Sequence, residues 1–203
     1  MLPVCLLTIT TILFTVFGFG QNRSKDDSLI YLMIIKSTIP LSAKSVLIVN
    51  ETVKYKHEID TASIVDSNST DPNEVLTRKY EWENATKTPF DSIAYRPMMR
   101  YYLGRHNRIK IAYGFSLPFK IVYLSGADYE TGKETEEYWD NLNRKYPNAA
   151  GVLSFSEIFY SADGSRAVLY YSIRRKNGKG SVVLSSKIKG RWKLKFENNV
   201  WHN

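Results

Sequence analysis

From Arg166 to Lys195 the chain carries ten lysines or arginines and no aspartate or glutamate. Within that stretch Arg191, Lys193 and Lys195 alternate with Trp192, Leu194 and Phe196. On an extended backbone successive side chains point to opposite faces, so the cations share one side and the apolar groups the other. Lys187 and Lys189 lie just before this run; Arg174 and Arg175, with Lys176 and Lys179, border an earlier turn. With the apolar side turned inward, the cations face water or a partner. Such a row attracts anionic lipid head groups, acidic glycans or an acidic protein. The plain alternative is a solvated sheet face whose lysines discourage edge-to-edge pairing. A second basic run, Arg96, Arg100, Arg105 and Arg108 with Lys110, is interleaved with Tyr101 and Tyr102. Arginine beside tyrosine can hold an anion or stack on a sugar or base. Its alternative is a loop that packs tyrosine and methionine onto a core.

Residues for covalent or metal chemistry are sparse. His57, His106 and His202 are 49 and 96 residues apart and form no paired metal-ligand spacing. Gly114-Phe115-Ser116 begins like a nucleophile elbow, but Pro118 stands where the closing glycine belongs. Drawing in His106 and Asp128 would complete a hydrolase triad only on paper. Glu134, Glu137 and Asp140 sit at a helix start, where acids complement the helix dipole. Asp163-Gly164 lacks the alternating oxygens of a calcium loop and reads as a turn. The expectation is no catalytic residue, no metal and no cofactor, with a hydrolase site in a pocket of the sheet as the alternative.

The elements that must position these residues follow from patterning. Val152–Tyr160, Arg166–Ile173, Ser181–Ile188 and Arg191–Phe196 read as four strands of a meander. Ala162-Asp163-Gly164, Lys176-Asn177-Gly178 and Lys189-Gly190 supply its turns. Glu134–Tyr146 reads as a helix with Tyr138, Trp139, Leu142 and Tyr146 on one face and Pro147 as its stop. Ser28–Ile39 reads as a second helix, with strand as the competing reading; Val46–Val49 reads as a strand, as do Ile109–Tyr113 and Lys120–Leu124. Residues 58–73 form a long polar loop, 73–85 a candidate helix, and Lys87–Asn107 an irregular stretch.

Residues 1–20 carry no charged side chain, and Gly18-Phe19-Gly20 fits small-x-small cleavage, leaving Gln21 first. The chain is therefore expected to be exported, periplasmic or secreted, with an uncleaved membrane anchor as the alternative. The one cysteine, Cys5, lies within that segment, so the remainder has no thiol for a disulfide. Nucleic acid is not an expected partner: export argues against it, and neither an RNP-type nor a helix-turn-helix pattern is present.

Further landmarks recur in order: Tyr138-Trp139, Tyr146-Pro147-Asn148-Ala149-Ala150-Gly151, Leu153-x-Phe155-Ser156, Phe159-x-x-Ala162-Asp163-Gly164, Gly178-x-Gly180, Gly190-x-Trp192 and Trp201. This order resembles a group of small exported bacterial proteins of unknown function. In that group a signal segment and helix precede a strand ending in an Asn/Asp-x-Thr element, here Asn50-Glu51-Thr52. The resemblance implies the closing meander and brings no activity, cofactor or site residue. The cysteine that often accompanies the paired glycines is absent, so Gly178-Lys179-Gly180 stands as a turn.

Residues 21–27 then form a linker and 28–203 one α+β domain. Its helices pack on an antiparallel sheet that ends in the four-strand meander, NTF2-like or cystatin-like in outline. The function expected is non-catalytic: binding of an anionic surface or partner through Arg174, Arg175, Lys187, Arg191, Lys193 and Lys195.

Overall fold

A computed structural model of the chain describes residues 25–53, 79, 83, 89, 91–103, 107–111, 113–132, 135–174 and 178–202. The apolar segment 1–20, the polar loop 58–73 and, apart from the helical Lys79 and Glu83, the helix expected over 73–85 fall outside the described residues, as do Arg105, Arg175, Glu134, His57 and His106.

In chain order the elements are α1 (residues 25–38), β1 (Ser45–Val49), α2 (Ser92–Leu103), β2 (Lys120–Leu124), α3 (Gly126–Gly132), α4 (Glu136–Lys145), β3 (Ala149–Phe155), β4 (Phe159–Tyr160), β5 (Arg166–Arg174), β6 (Lys179–Ile188) and β7 (Arg191–His202). The fold is α+β. The strands form one sheet in the order β2-β1-β3-β5-β6-β7, with β4 also paired to β5. The meander is antiparallel, as expected. The other half corrects the antiparallel expectation, because β1 pairs parallel with both β2 and β3. Parallel neighbours cannot be joined by a tight turn and need a crossover; between β2 and β3 the chain provides α3 and α4.

Local chemistry explains the meander. Gly164 (φ 66°) closes the turn before β5. Lys189 (φ 48°) and Gly190 (φ 75°) both adopt positive φ between the paired residues Ile188 and Arg191. That is the two-residue turn whose twist matches antiparallel strands. Where β3 breaks before β4, Ser156 bridges the gap: its N–H donates to the Tyr170 carbonyl and its hydroxyl accepts from the Tyr170 N–H, each at 2.8 Å.

The central strands are covered on both faces, so the wet face expected for the sheet is confined to the edge strands β2 and β7. On one side α1 packs Ile30, Tyr31, Ile34 and Ile35 against Val46, Ile48, Leu153, Phe155, Leu169, Tyr171 and Val183. Leu29 and Lys36 lie on the exposed face of this helix. On the other side α2 covers Val168, Tyr170, Val182 and Leu184, while α4 stands over Leu47, Val49 and Val152. Accordingly β5 and β6 are buried along most of their length irrespective of parity.

Helix α2 replaces the irregular stretch expected over Lys87–Asn107. Asp91 caps it, with Oδ1 accepting the N–H groups of Ile93 (3.0 Å) and Ala94 (3.1 Å). Ala94, Tyr95, Met98 and Tyr101 form its buried stripe. Pro97 lies inside the helix and leaves the Ile93 carbonyl without its usual intrahelical donor. Ile93 is exposed, so water can serve that carbonyl.

Strand β7 departs from simple alternation. Leu184 pairs with Phe196 but Ser185 pairs with Leu194, leaving Lys195 as the extra residue of a β-bulge. An extra residue inverts the parity of everything beyond it. Trp192 therefore joins the α1-side core, whereas Phe196 packs with the α2-side cluster. The expected inward row of Trp192, Leu194 and Phe196 is corrected in two respects: the row changes face, and Leu194 is 40% exposed.

Candidate anion-binding surface

The basic residues of the last third divide between the two ends of the sheet. Arg174 ends β5, beside the turn that leads into β6; Lys187, Lys189 and Arg191 surround the turn between β6 and β7. Ten residues of β6 at about 3.3 Å each separate these ends by roughly 30 Å. Arg174 thus does not share a patch with Arg191, Lys193 and Lys195; it lines a cavity beneath α4.

At the β6–β7 end, Arg191, Lys193 and Lys195 are exposed, and none has an ion-pair partner among the described residues. Arg191 and Lys193 pair with Ile188 and Ser186, which places them on the α2 side of the sheet. Leu194 pairs with Ser185 on the α1 side and is exposed on the face opposite Arg191 and Lys193. Among the described residues β7 is an edge of the sheet, so the row lies along its margin.

Lys187 has a different occupation. Its Nζ donates to both oxygens of Asp26 in α1, at 2.8 and 3.0 Å, and lies 5.6 Å from the centre of the Trp192 ring. Trp192 Nε1–H donates to Asp26 Oδ1 at 3.0 Å. The neighbouring Asp27 accepts from the Tyr160 hydroxyl at 2.5 Å, and the Tyr160 ring meets Trp192 edge to face at 5.9 Å. Burial, and after it the Asp27 carboxylate, pushes the Tyr160 phenol far above its ordinary value. Together these contacts tie the first turn of α1 to the β6–β7 end. Lys25 and Gly190 line the same hollow there, of about 610 Å³. The start of α1 therefore lies beside the turn between β6 and β7.

The second basic run is dispersed. Arg96 and Arg100 are exposed on α2, and the Arg100 guanidinium donates to the Tyr160 carbonyl. Arg108 is exposed in an irregular passage; the strand expected over Ile109–Tyr113 is corrected, since among the described residues Lys110 makes only an isolated bridge with Glu51. Sequence reasoning passed over Arg166, whose Nε lies 2.6 Å from Asp91 Oδ2 and so ties β5 to the start of α2.

Groups considered for catalysis are not assembled. Gly114, Phe115 and Ser116 lie in an irregular passage with no helix after the serine, and Asp128, Glu137 and Asp140 are exposed on α3 and α4. No group of three or more His, Cys, Asp or Glu side chains suited to a metal occurs among the described residues. The densest polar cluster surrounds Glu197. Its Oε1 accepts from Lys179 Nζ (2.6 Å), the Tyr171 hydroxyl (2.7 Å) and the Ser181 hydroxyl (3.0 Å). Burial pushes the Glu197 carboxyl up, but these donors outweigh it and hold the group below its ordinary value. Ser181 is wholly buried there. Its hydroxyl is committed to structure and cannot reach a substrate.

The Asn50-x-Thr52 element also proves structural. Asn50 Oδ1 accepts the Gly126 N–H at 3.0 Å. Thr52 Oγ1 accepts the Ile109 N–H at 2.8 Å and donates to the Asn107 carbonyl at 2.7 Å. Among the described residues no helix is long and apolar enough to cross a membrane. Comparison with family models, with curated proteins and with solved structures yields no match to this chain.

Proposed function

We propose that this chain is an exported, non-catalytic protein that binds an anionic membrane surface through the margin of β7. The observation that carries the reading is the placement of Arg191, Lys193 and Lys195. They are exposed and lack ion-pair partners among the described residues. Each such cation is worth about 1 kcal/mol at an anionic lipid surface.

A second support is geometric. The latch of Asp26 to Lys187 and Trp192 brings the start of α1 to the same end of the sheet. The uncharged segment 1–20 precedes that point in the chain.

The test is co-sedimentation of the chain from Gln21 onward with phosphatidylglycerol-rich and with phosphatidylcholine vesicles across a salt series. Binding is expected to the anionic vesicles, weakening as salt shortens the screening length. Changing Lys193→Glu together with Lys195→Glu should lower it at least about tenfold, four charge units being altered near the surface. Equal, salt-insensitive binding to both vesicle types would sink the proposal. Preference for a soluble sulfated glycan over vesicles would reassign the surface to a glycan.

A further inference from the structure

We infer that the cavity between α4 and the sheet is a binding site for small apolar monocarboxylates. Helix α4 is strongly amphipathic, with Tyr138, Trp139, Leu142 and Tyr146 directed toward the cluster of Leu47, Val49 and Val152. None of its ten residues is buried. Its apolar stripe packs against that cluster only in part, and the space left beside it is a cavity of about 610 Å³. That volume falls within the range of small-molecule sites, and walls of this composition favour an apolar occupant over water.

The lining makes the choice of ligand. Leu47, Trp139, Leu142, Tyr146 and Val152 form the apolar and aromatic wall, and Arg174 is the one lysine, arginine or acidic residue among the lining residues. A planar guanidinium bordering an apolar chamber matches a carboxylate carried on a hydrocarbon body. The backbone at this wall is built for close approach. Where β1 pairs with β3 the register slips between Ser45 and Leu47, opposite Ala150 and Gly151. Gly151 adopts φ 150°, and a Cβ there would lie 3.0 Å from the Arg174 carbonyl oxygen and from Ile173 Cγ1. Glycine alone lets β3 pass this close to Arg174, holding the basic end of the chamber against its apolar wall.

The site is independent of the membrane reading: it lies at the opposite end of the sheet, and altering Arg174 leaves Arg191, Lys193 and Lys195 in place. Titration calorimetry with octanoate and with octanol compares an acid and an alcohol of the same hydrocarbon body. Octanoate should bind the unaltered chain saturably at concentrations up to about 1 mM, and at least about tenfold more tightly than octanol. In Arg174→Met the two should bind alike, and Leu142→Trp, which fills the chamber, should lose octanoate. No saturable octanoate binding, equal affinity for acid and alcohol, or a preference that survives Arg174→Met would each overturn the inference. So would full binding by a folded Leu142→Trp. Should Arg174→Met fail to fold by circular dichroism, the acid–alcohol comparison on the unaltered chain decides.

Discussion

A single hydroxyl shows how much structural work one residue carries. Thr52 is 2% exposed, and its Oγ1 serves a donor and an acceptor 57 and 55 residues away. Valine at this position would keep the shape but strand the Ile109 N–H and the Asn107 carbonyl. Leaving a buried polar group unsatisfied costs about 1–3 kcal/mol, and water reaches the exposed Asn107 and Ile109 in part. Thr52→Val is therefore expected to lower the urea midpoint by an amount equivalent to about 1 kcal/mol at unchanged slope. An unmoved midpoint would show that the hydroxyl holds nothing. In the sequence, Asn50-Glu51-Thr52 is visible only as a landmark; its partners are too distant along the chain for any local pattern to name them. Asp91-Ser92 reads as a loop on the same grounds, because the cap is recognised only once α2 is seen to follow it.

The elements were legible where turn chemistry and period agree. The meander is announced by Asp163-Gly164 and Lys189-Gly190, and α4 by its apolar face, early acids and the Pro147 stop, though it begins only at Glu136, behind a Thr135 cap. Helix α2 escaped because Pro97 reads as a breaker and the arginines obscure the stripe of Tyr95, Met98 and Tyr101. The face change in β7 escaped because a bulge leaves no mark in an alternating sequence. The strongest inter-element tie, α1 to β7, is equally silent in the chain order, since Asp26 meets Trp192 across 166 residues. Asp26→Ala would remove the acceptor of the indole N–H and the counter-charge of Lys187 together. The ion pair is partly exposed and contributes little by itself, so the half-buried indole N–H dominates the loss. A destabilisation of about 1–2 kcal/mol is expected, with tryptophan emission shifted to the red as Trp192 gains water. Unchanged stability and emission would mean that α1 is held by its isoleucines alone.

Across the whole molecule, the charge pattern read from sequence is correct in composition and wrong in arrangement. The ten cations from Arg166 to Lys195 look like one field, but the strand β6 carries them to opposite ends of the sheet, and Asp26, Asp91 and Glu197 each take one into an ion pair. The parallel pairing of β1 with β2 and β3 was unreadable for a related reason: its partners are separated by two long excursions of the chain. What the composition does foretell is tyrosine, 14 residues of it, and its burial sets the alkaline limit of the fold. Burial first, then Asp27, raises the phenols of Tyr31 and Tyr160 well above the ordinary value. The same two causes bring Tyr113 to about 12, and burial followed by Tyr129 and Asp128 brings Tyr138 to about 12. A raised folded-state value means that the native form holds the phenolic proton more tightly than the unfolded chain, which releases it near pH 10. Stabilisation from these groups is thus complete below about pH 10 and drains away as pH climbs toward 12. The thermal midpoint, followed from pH 8 to 12, is expected to fall steeply from about pH 10 upward. Tyr113→Phe and Tyr138→Phe should each flatten that fall, because phenylalanine has no proton to lose. A descent that is already complete by pH 9, or one that both phenylalanine variants reproduce unchanged, would show that the buried phenols do not govern the alkaline transition.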